Sequence, residues 1–87
     1  LAWSIEFDTA AKKDLGKLDK RVATRNVAFL KKRVLEDPRG VGGALIGPRL
    51  GELWKFRVGA YWIICKIEDS KLCVLVVRIG NRSGVYR

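Results

Sequence analysis

Between Leu53 and Ile79 the sequence is a succession of β-forming residues broken only at Gly59-Ala60 and Asp69-Ser70. Short apolar runs bounded by such breaks read as strands, here Leu53 to Val58, Tyr61 to Ile67 and Leu72 to Ile79. Parallel neighbours need a crossover of about a dozen residues or more, whereas gaps of two and four residues permit only hairpins, so these three strands form an antiparallel meander. Gly59 suits such a turn; Ala60 is a poor residue for positive φ.

Those turns set a register. Val58 falls opposite Tyr61, Arg57 opposite Trp62 and Lys55 opposite Ile64. If Asp69-Ser70 is a two-residue turn, Trp62 then meets Val77 and Ile64 meets Leu75. Alternation divides the sheet into two faces. One carries Trp54, Phe56, Val58, Tyr61, Ile63, Cys65, Ile67, Val74 and Val76; being almost wholly apolar, it should lie against the helices. The other carries Lys55, Arg57, Trp62, Ile64, Lys66, Cys73, Leu75 and Val77. Its cationic end, Lys55, Arg57 and Lys66 around Trp62, suits RNA, because cations meet phosphates and an indole can stack a base. Periodicity alone leaves an ordinary solvated sheet face equally open.

Upstream, Trp3, Ile5 and Phe7 alternate with Ala2, Ser4 and Glu6, the period of a first strand. Asp8 can cap a helix carrying Ala11, Leu15 and Leu18, which Gly16 keeps short at a cost of about 1 kcal/mol relative to Ala. Asp19 is the next cap. From Lys20 to Glu36 the stripe Ala23, Val27, Leu30, Val34 marks a buried helix face, with Arg21, Arg25 and Lys32 on the opposite side. Pro38 stops the helix. Residues 38 to 52, with their glycines and prolines, read as a loop, and no Gly-Lys-Ser/Thr follows to make it a P-loop. The expectation is a single domain over residues 1–87 of α+β class. Its order is β-α-α-β-β-β: an antiparallel sheet with a helical hairpin packed on one face.

Charge narrows the partners. There are 18 Lys+Arg against 9 Asp+Glu, a net charge of +9 on 87 residues. That balance fits a polyanion, nucleic acid or an acidic protein, better than a small neutral substrate. A generally basic, solubilising surface is the plainer alternative. The chain has no histidine. Ser-His-Asp triads, Cys-His pairs and histidine ribonucleases are therefore excluded. Cys65 and Cys73 fall on adjacent strands but opposite faces and read as buried free thiols. They lack zinc-site spacing, and neither metal nor cofactor is expected. No run approaches a membrane span and the start does not read as a signal peptide, so a cytoplasmic protein without membrane contact is expected.

The whole chain resembles the RelE branch of the RelE/ParE toxin superfamily. The residues that carry the resemblance are Leu53-Trp54-Lys55-Phe56-Arg57-Val58-Gly59, Tyr61, Ile63-Ile64-Cys65, Val76-Val77-Arg78-Ile79-Gly80-Asn81-Arg82 and Val85-Tyr86-Arg87. Ile5-Glu6-Phe7-Asp8 before a Lys-rich helix, and Glu36-Asp37-Pro38-Arg39 before a Gly-rich loop, match as well. The resemblance implies a toxin of a type II toxin–antitoxin system, an endoribonuclease (mRNA interferase) that cleaves messenger RNA in the ribosomal A site and inhibits translation. It implies a RelB-like antitoxin partner, and operator DNA bound only through that complex. The catalytic positions it implies are Lys55, Arg57, Arg82 and Tyr86. The 2′-hydroxyl of the message attacks the adjacent phosphate, so a base, cations for the phosphorane and an acid for the 5′ oxygen are needed. Lys55 is assigned the base, since like charges nearby disfavour a protonated amine. Arg57 and Arg82 neutralise the phosphorane, and Tyr86 stacks or assists proton transfer. Trp62, Lys66, Arg21, Arg25 and Lys32 are the expected RNA-binding residues.

Two positions depart from the family pattern. Gly59-Ala60-Tyr61-Trp62 stands where Gly-Asp-Tyr-Arg is common, and Asn81 where many relatives have histidine. Trp cannot supply the charge or bidentate fork of a guanidinium. A weakened or inactive member that still binds antitoxin or RNA is one alternative. A ParE-like toxin that inhibits gyrase is the other.

Overall fold

Asp8 ends one element and begins the next. Its backbone N–H donates to Val76 O at 3.0 Å, closing a β-ladder, while its carboxylate accepts from the Ala11 N–H at 3.2 Å and caps a helix. The computed structural model describes residues 3–38, 40–44 and 53–81. Its elements are β1 (Ser4–Phe7), α1 (Thr9–Gly16), α2 (Lys20–Phe29), β2 (Gly43–Ala44), β3 (Leu53–Val58), β4 (Tyr61–Glu68) and β5 (Cys73–Asn81). Asp19 caps α2 by accepting from the Arg21 N–H at 2.8 Å.

The strands form one sheet in the order β1-β5-β4-β3-β2. The α+β arrangement is the expected one, with two additions. β1 pairs with β5 in parallel, Ile5 opposite Val74, so the sheet is mixed. Within the expected Gly-rich loop, Gly43 and Ala44 pair antiparallel with Lys55 and Trp54. The Trp54 indole N–H holds this segment by donating to Val41 O at 2.7 Å. Gly42, at φ 76°, makes the bend in a region that L side chains rarely adopt.

One face of the sheet carries the core. Phe56, Val58, Ile63, Cys65, Val74, Val76 and Ile79 meet Ala11, Leu30 and Val34, all buried. α1 packs mainly against β5, and α2 lies against β3. The expected helix from Lys20 to Glu36 changes character midway: Leu30–Val34 is a π-helical turn, closed by Leu35 N–H to Leu30 O at 3.1 Å. Leu30 and Val34, inside that wide turn, are fully buried, whereas Ala23 and Val27 upstream are only half-buried. A 3.6-residue pattern cannot register such an insertion.

The β3–β4 register is as expected, with Arg57 opposite Trp62 and Lys55 opposite Ile64. The β4–β5 register is not. Asp69-Ser70 is not a two-residue turn: Asp69–Lys71 forms a 3₁₀ turn and Leu72 sits at φ 49°, so Glu68 pairs with Cys73. This slides β5 by two residues, which preserves its faces. A bulge between Ile64 and Cys65 then adds one more step, leaving Val77 as the extra residue. Trp62 therefore faces Gly80 rather than Val77, and Ile64 faces Arg78 rather than Leu75.

Candidate functional site

On the face turned away from the helices, β3 and β4 bring three side chains together. Lys55 and Arg57 alternate with the buried Phe56 and Val58, and so point outward. Lys55 is half-buried and Arg57 exposed. Trp62 lies between them. The Lys55 Nζ stands 4.8 Å from the centroid of the indole, and Arg57 Cζ stands 6.0 Å from it. Both distances are within cation–π range. Across the other ladder the indole faces Gly80, which has no side chain.

The hairpin turn aims this cluster. Gly59 alone takes positive φ there, 59°, the pattern of a type II′ turn, so Ala60 is spared the conformation it disfavours. The Arg57 Nε–H donates to the Gly59 carbonyl at 3.3 Å. Lys66 is exposed on the same face, opposite Leu53 and Leu75. Ile64 is buried between Lys55 and Arg78 on the neighbouring strands.

The expected helix residues line two adjoining depressions. Arg25 and Lys32 line a cleft of about 440 Å³ together with Arg57. Arg21 lines the other, with Asp19, Thr24 and the same Arg25. Arg33, which the sequence reading passed over, joins the first cleft. The run Lys31-Lys32-Arg33 was its only signal. Arg82 and Tyr86, the two tail positions of the expected catalytic set, lie outside the described residues.

Three further groups are accounted for structurally. Asp14, its side chain 11% exposed, accepts from Arg78 Nε at 2.8 Å and from the Ile79 N–H at 2.9 Å. Burial pushes its carboxyl up, but the bonds from Arg78 and Ile79 outweigh this and hold it below the ordinary carboxylate range. Cys65 and Cys73 are both buried and free. Burial pushes both thiols upward, away from the reactive thiolate. Among the described residues no cluster of His, Cys, Asp or Glu could hold a metal ion. Among them, too, no helix is long and apolar enough to cross a membrane.

The fold and the sequence both have known counterparts. Residues 5–86 match the model for the ParE toxin of type II toxin–antitoxin systems, parDE. The chain belongs to the RelE/ParE toxin family. The toxin is 29% identical to Toxin RelG of Mycobacterium tuberculosis, over 100% of this chain and 99% of that one. Its fold is similar to a chain of the RelBE2 toxin–antitoxin complex of M. tuberculosis, with a TM-score of 0.87 and 28% identity over 94% of this chain and 100% of the other. It is also similar to the isolated E. coli RelE toxin, with a TM-score of 0.77 and 29% identity over 98% and 92% of the two chains.

Proposed function

We propose that this type II toxin is a ribosome-dependent endoribonuclease that cuts messenger RNA, with its reaction centre on the outer face of β3 and β4. The observation that carries this is the outward pairing of Lys55 and Arg57 about Trp62, opposite the helix-covered face. Lys55 takes the proton of the 2′-hydroxyl as its oxygen attacks the adjacent phosphorus. Arg57 neutralises the phosphorane, and the bond to the 5′ oxygen breaks with a proton delivered there. The products are a 2′,3′-cyclic phosphate and a 5′-hydroxyl, so no water, metal or redox partner is consumed. Arg82 and Tyr86 complete the proposed set, Arg82 as a second phosphorane cation and Tyr86 against the base or in proton transfer. Trp62, Lys66, Arg21, Arg25 and Lys32 are proposed RNA contacts.

Trp62 tempers the activity. The position holds an uncharged ring where a cation would face the phosphorane, and losing one such cation costs on the order of 10²–10³ in rate. With Lys55 over the ring, a base and the ammonium compete for that face of the indole.

A RelB-like antitoxin is the proposed partner, by similarity to toxins solved in RelBE complexes. Operator DNA would be bound through that complex, and the cytoplasm is the proposed location. The match to the ParE model favours one other reading, a toxin that inhibits gyrase. Toe-printing of programmed ribosomes separates the two. The nuclease reading expects message cuts at the A site and undisturbed supercoiling by gyrase. Gyrase inhibition with intact message would replace it.

A further inference from the structure

Arg57 lies at the join of two surfaces. It is within 6.0 Å of the Trp62 ring on the sheet face, and it also lines the cleft formed with α2 and the π-helical turn. That cleft of about 440 Å³ is walled by Arg25, Lys32, Arg33 and Arg57 over a floor that includes Ala28, Phe29 and Val58. Three elements thus converge four cations on one depression, and among the described residues that line it there is no carboxylate. Among the described residues none of the four makes an ion pair. The Arg25 guanidinium lies beside Gly59, its atoms 3.5–3.8 Å from where a Cβ would stand, at ordinary contact distance.

We propose that this cleft is a second phosphate-binding site, holding the backbone of the RNA strand one or more nucleotides away from the scissile phosphate. The inference rests on RNA being the substrate. Three of the four cations are guanidiniums, whose planar fork matches phosphate and carboxylate oxygens alike. What favours a phosphodiester over an acidic peptide is Arg57, a wall of the cleft shared with the proposed reaction centre, so one continuous strand can occupy both.

The test measures binding without cleavage. A 2′-O-methyl RNA oligonucleotide has no attacking hydroxyl, so its affinity can be followed by fluorescence anisotropy across a salt series. The variant R25Q/K32Q/R33Q removes three exposed cations of the cleft. The variant K12Q/K13Q/K71Q removes three exposed cations elsewhere. Thermal unfolding of both checks that they fold. The cleft variant should bind at least about tenfold more weakly, with a salt dependence shallower by about 2, at roughly 0.7 per cation lost. The control variant should change less than about twofold. Equal losses in the two variants, or none in the cleft variant, would overturn the proposal. So would loss of oligoglutamate binding with RNA binding intact, which would assign the cleft to an acidic protein. If wild-type toxin fails to cut message on ribosomes while these binding differences hold, the nuclease reading falls and the cleft stands.

Discussion

The Nζ of Lys55 stands 4.8 Å from the centroid of the Trp62 ring, so the side chain assigned the base of the proposed reaction lies over an aromatic face. This contact follows from register alone. Lys55 and Trp62 lie on one face of adjacent strands, two pairs apart along the ladder, because Gly59 makes the turn that sets Arg57 opposite Trp62.

Trp62→Arg replaces that ring with a third cation, the second guanidinium, at the centre of the cluster. Ribosomal cleavage should rise, by up to roughly 10²-fold if the cation acts on the phosphorane. An initial-rate comparison by primer extension reads this out. An unchanged rate would mean that residue 62 does not face the reacting phosphate.

Asp14 ties α1 to the end of β5 through Arg78 and the Ile79 amide. Asp14→Ala leaves that amide without its acceptor and should destabilise the fold by about 1–3 kcal/mol in denaturant titrations. The carboxyl is held below its ordinary range in the folded state. Its contribution is therefore full above the unfolded pKa, about 3.9, and is lost as pH falls through the lower folded value. The stability gap between wild type and Asp14→Asn should accordingly shrink below about pH 4.

Gly42 carries the bend into β2 at φ 76°, and a Cβ there would run into the Lys55 carbonyl and the Phe56 ring. Gly42→Ala should cost about 1–3 kcal/mol, measured by thermal unfolding. Because the collision falls on Lys55 itself, cleavage should fall along with stability. Gly43→Ala, where a Cβ meets nothing within 4 Å, should be far milder.

Cys65 and Cys73 should be silent to Ellman's reagent in the native protein and both react once it is unfolded, since each is buried and free. Fast labelling of either thiol at neutral pH in the folded toxin would contradict the packing of β4 and β5.

The half of the site on β3 was legible because two independent signals agreed there. Charged and apolar residues alternate through Lys55, Phe56 and Arg57, and a glycine marks the turn that follows. The β5 side was not. Cys73 to Val77 is apolar on both faces, so no alternation betrays a slip or a bulge, and the displacement of Val77 by Gly80 opposite Trp62 left no trace in composition. The parallel pairing of Ser4 with Cys73 joins segments far apart in the chain, where no turn dictates register. Likewise the cleft shared by Arg25, Arg33 and Arg57 depends on where a π-helical turn rotates α2, which hydrophobic spacing cannot register.

Single-turnover cleavage of message on programmed ribosomes, with Lys55→Ala and Arg57→Ala beside the surface control Lys12→Ala, bears most directly on the outer sheet face as the reaction centre. Each of the first two should lower the rate by roughly 10²–10³ while the control stays at the wild-type rate. Cleavage that survives the loss of both Lys55 and Arg57 in a folded protein would place the chemistry elsewhere on the molecule.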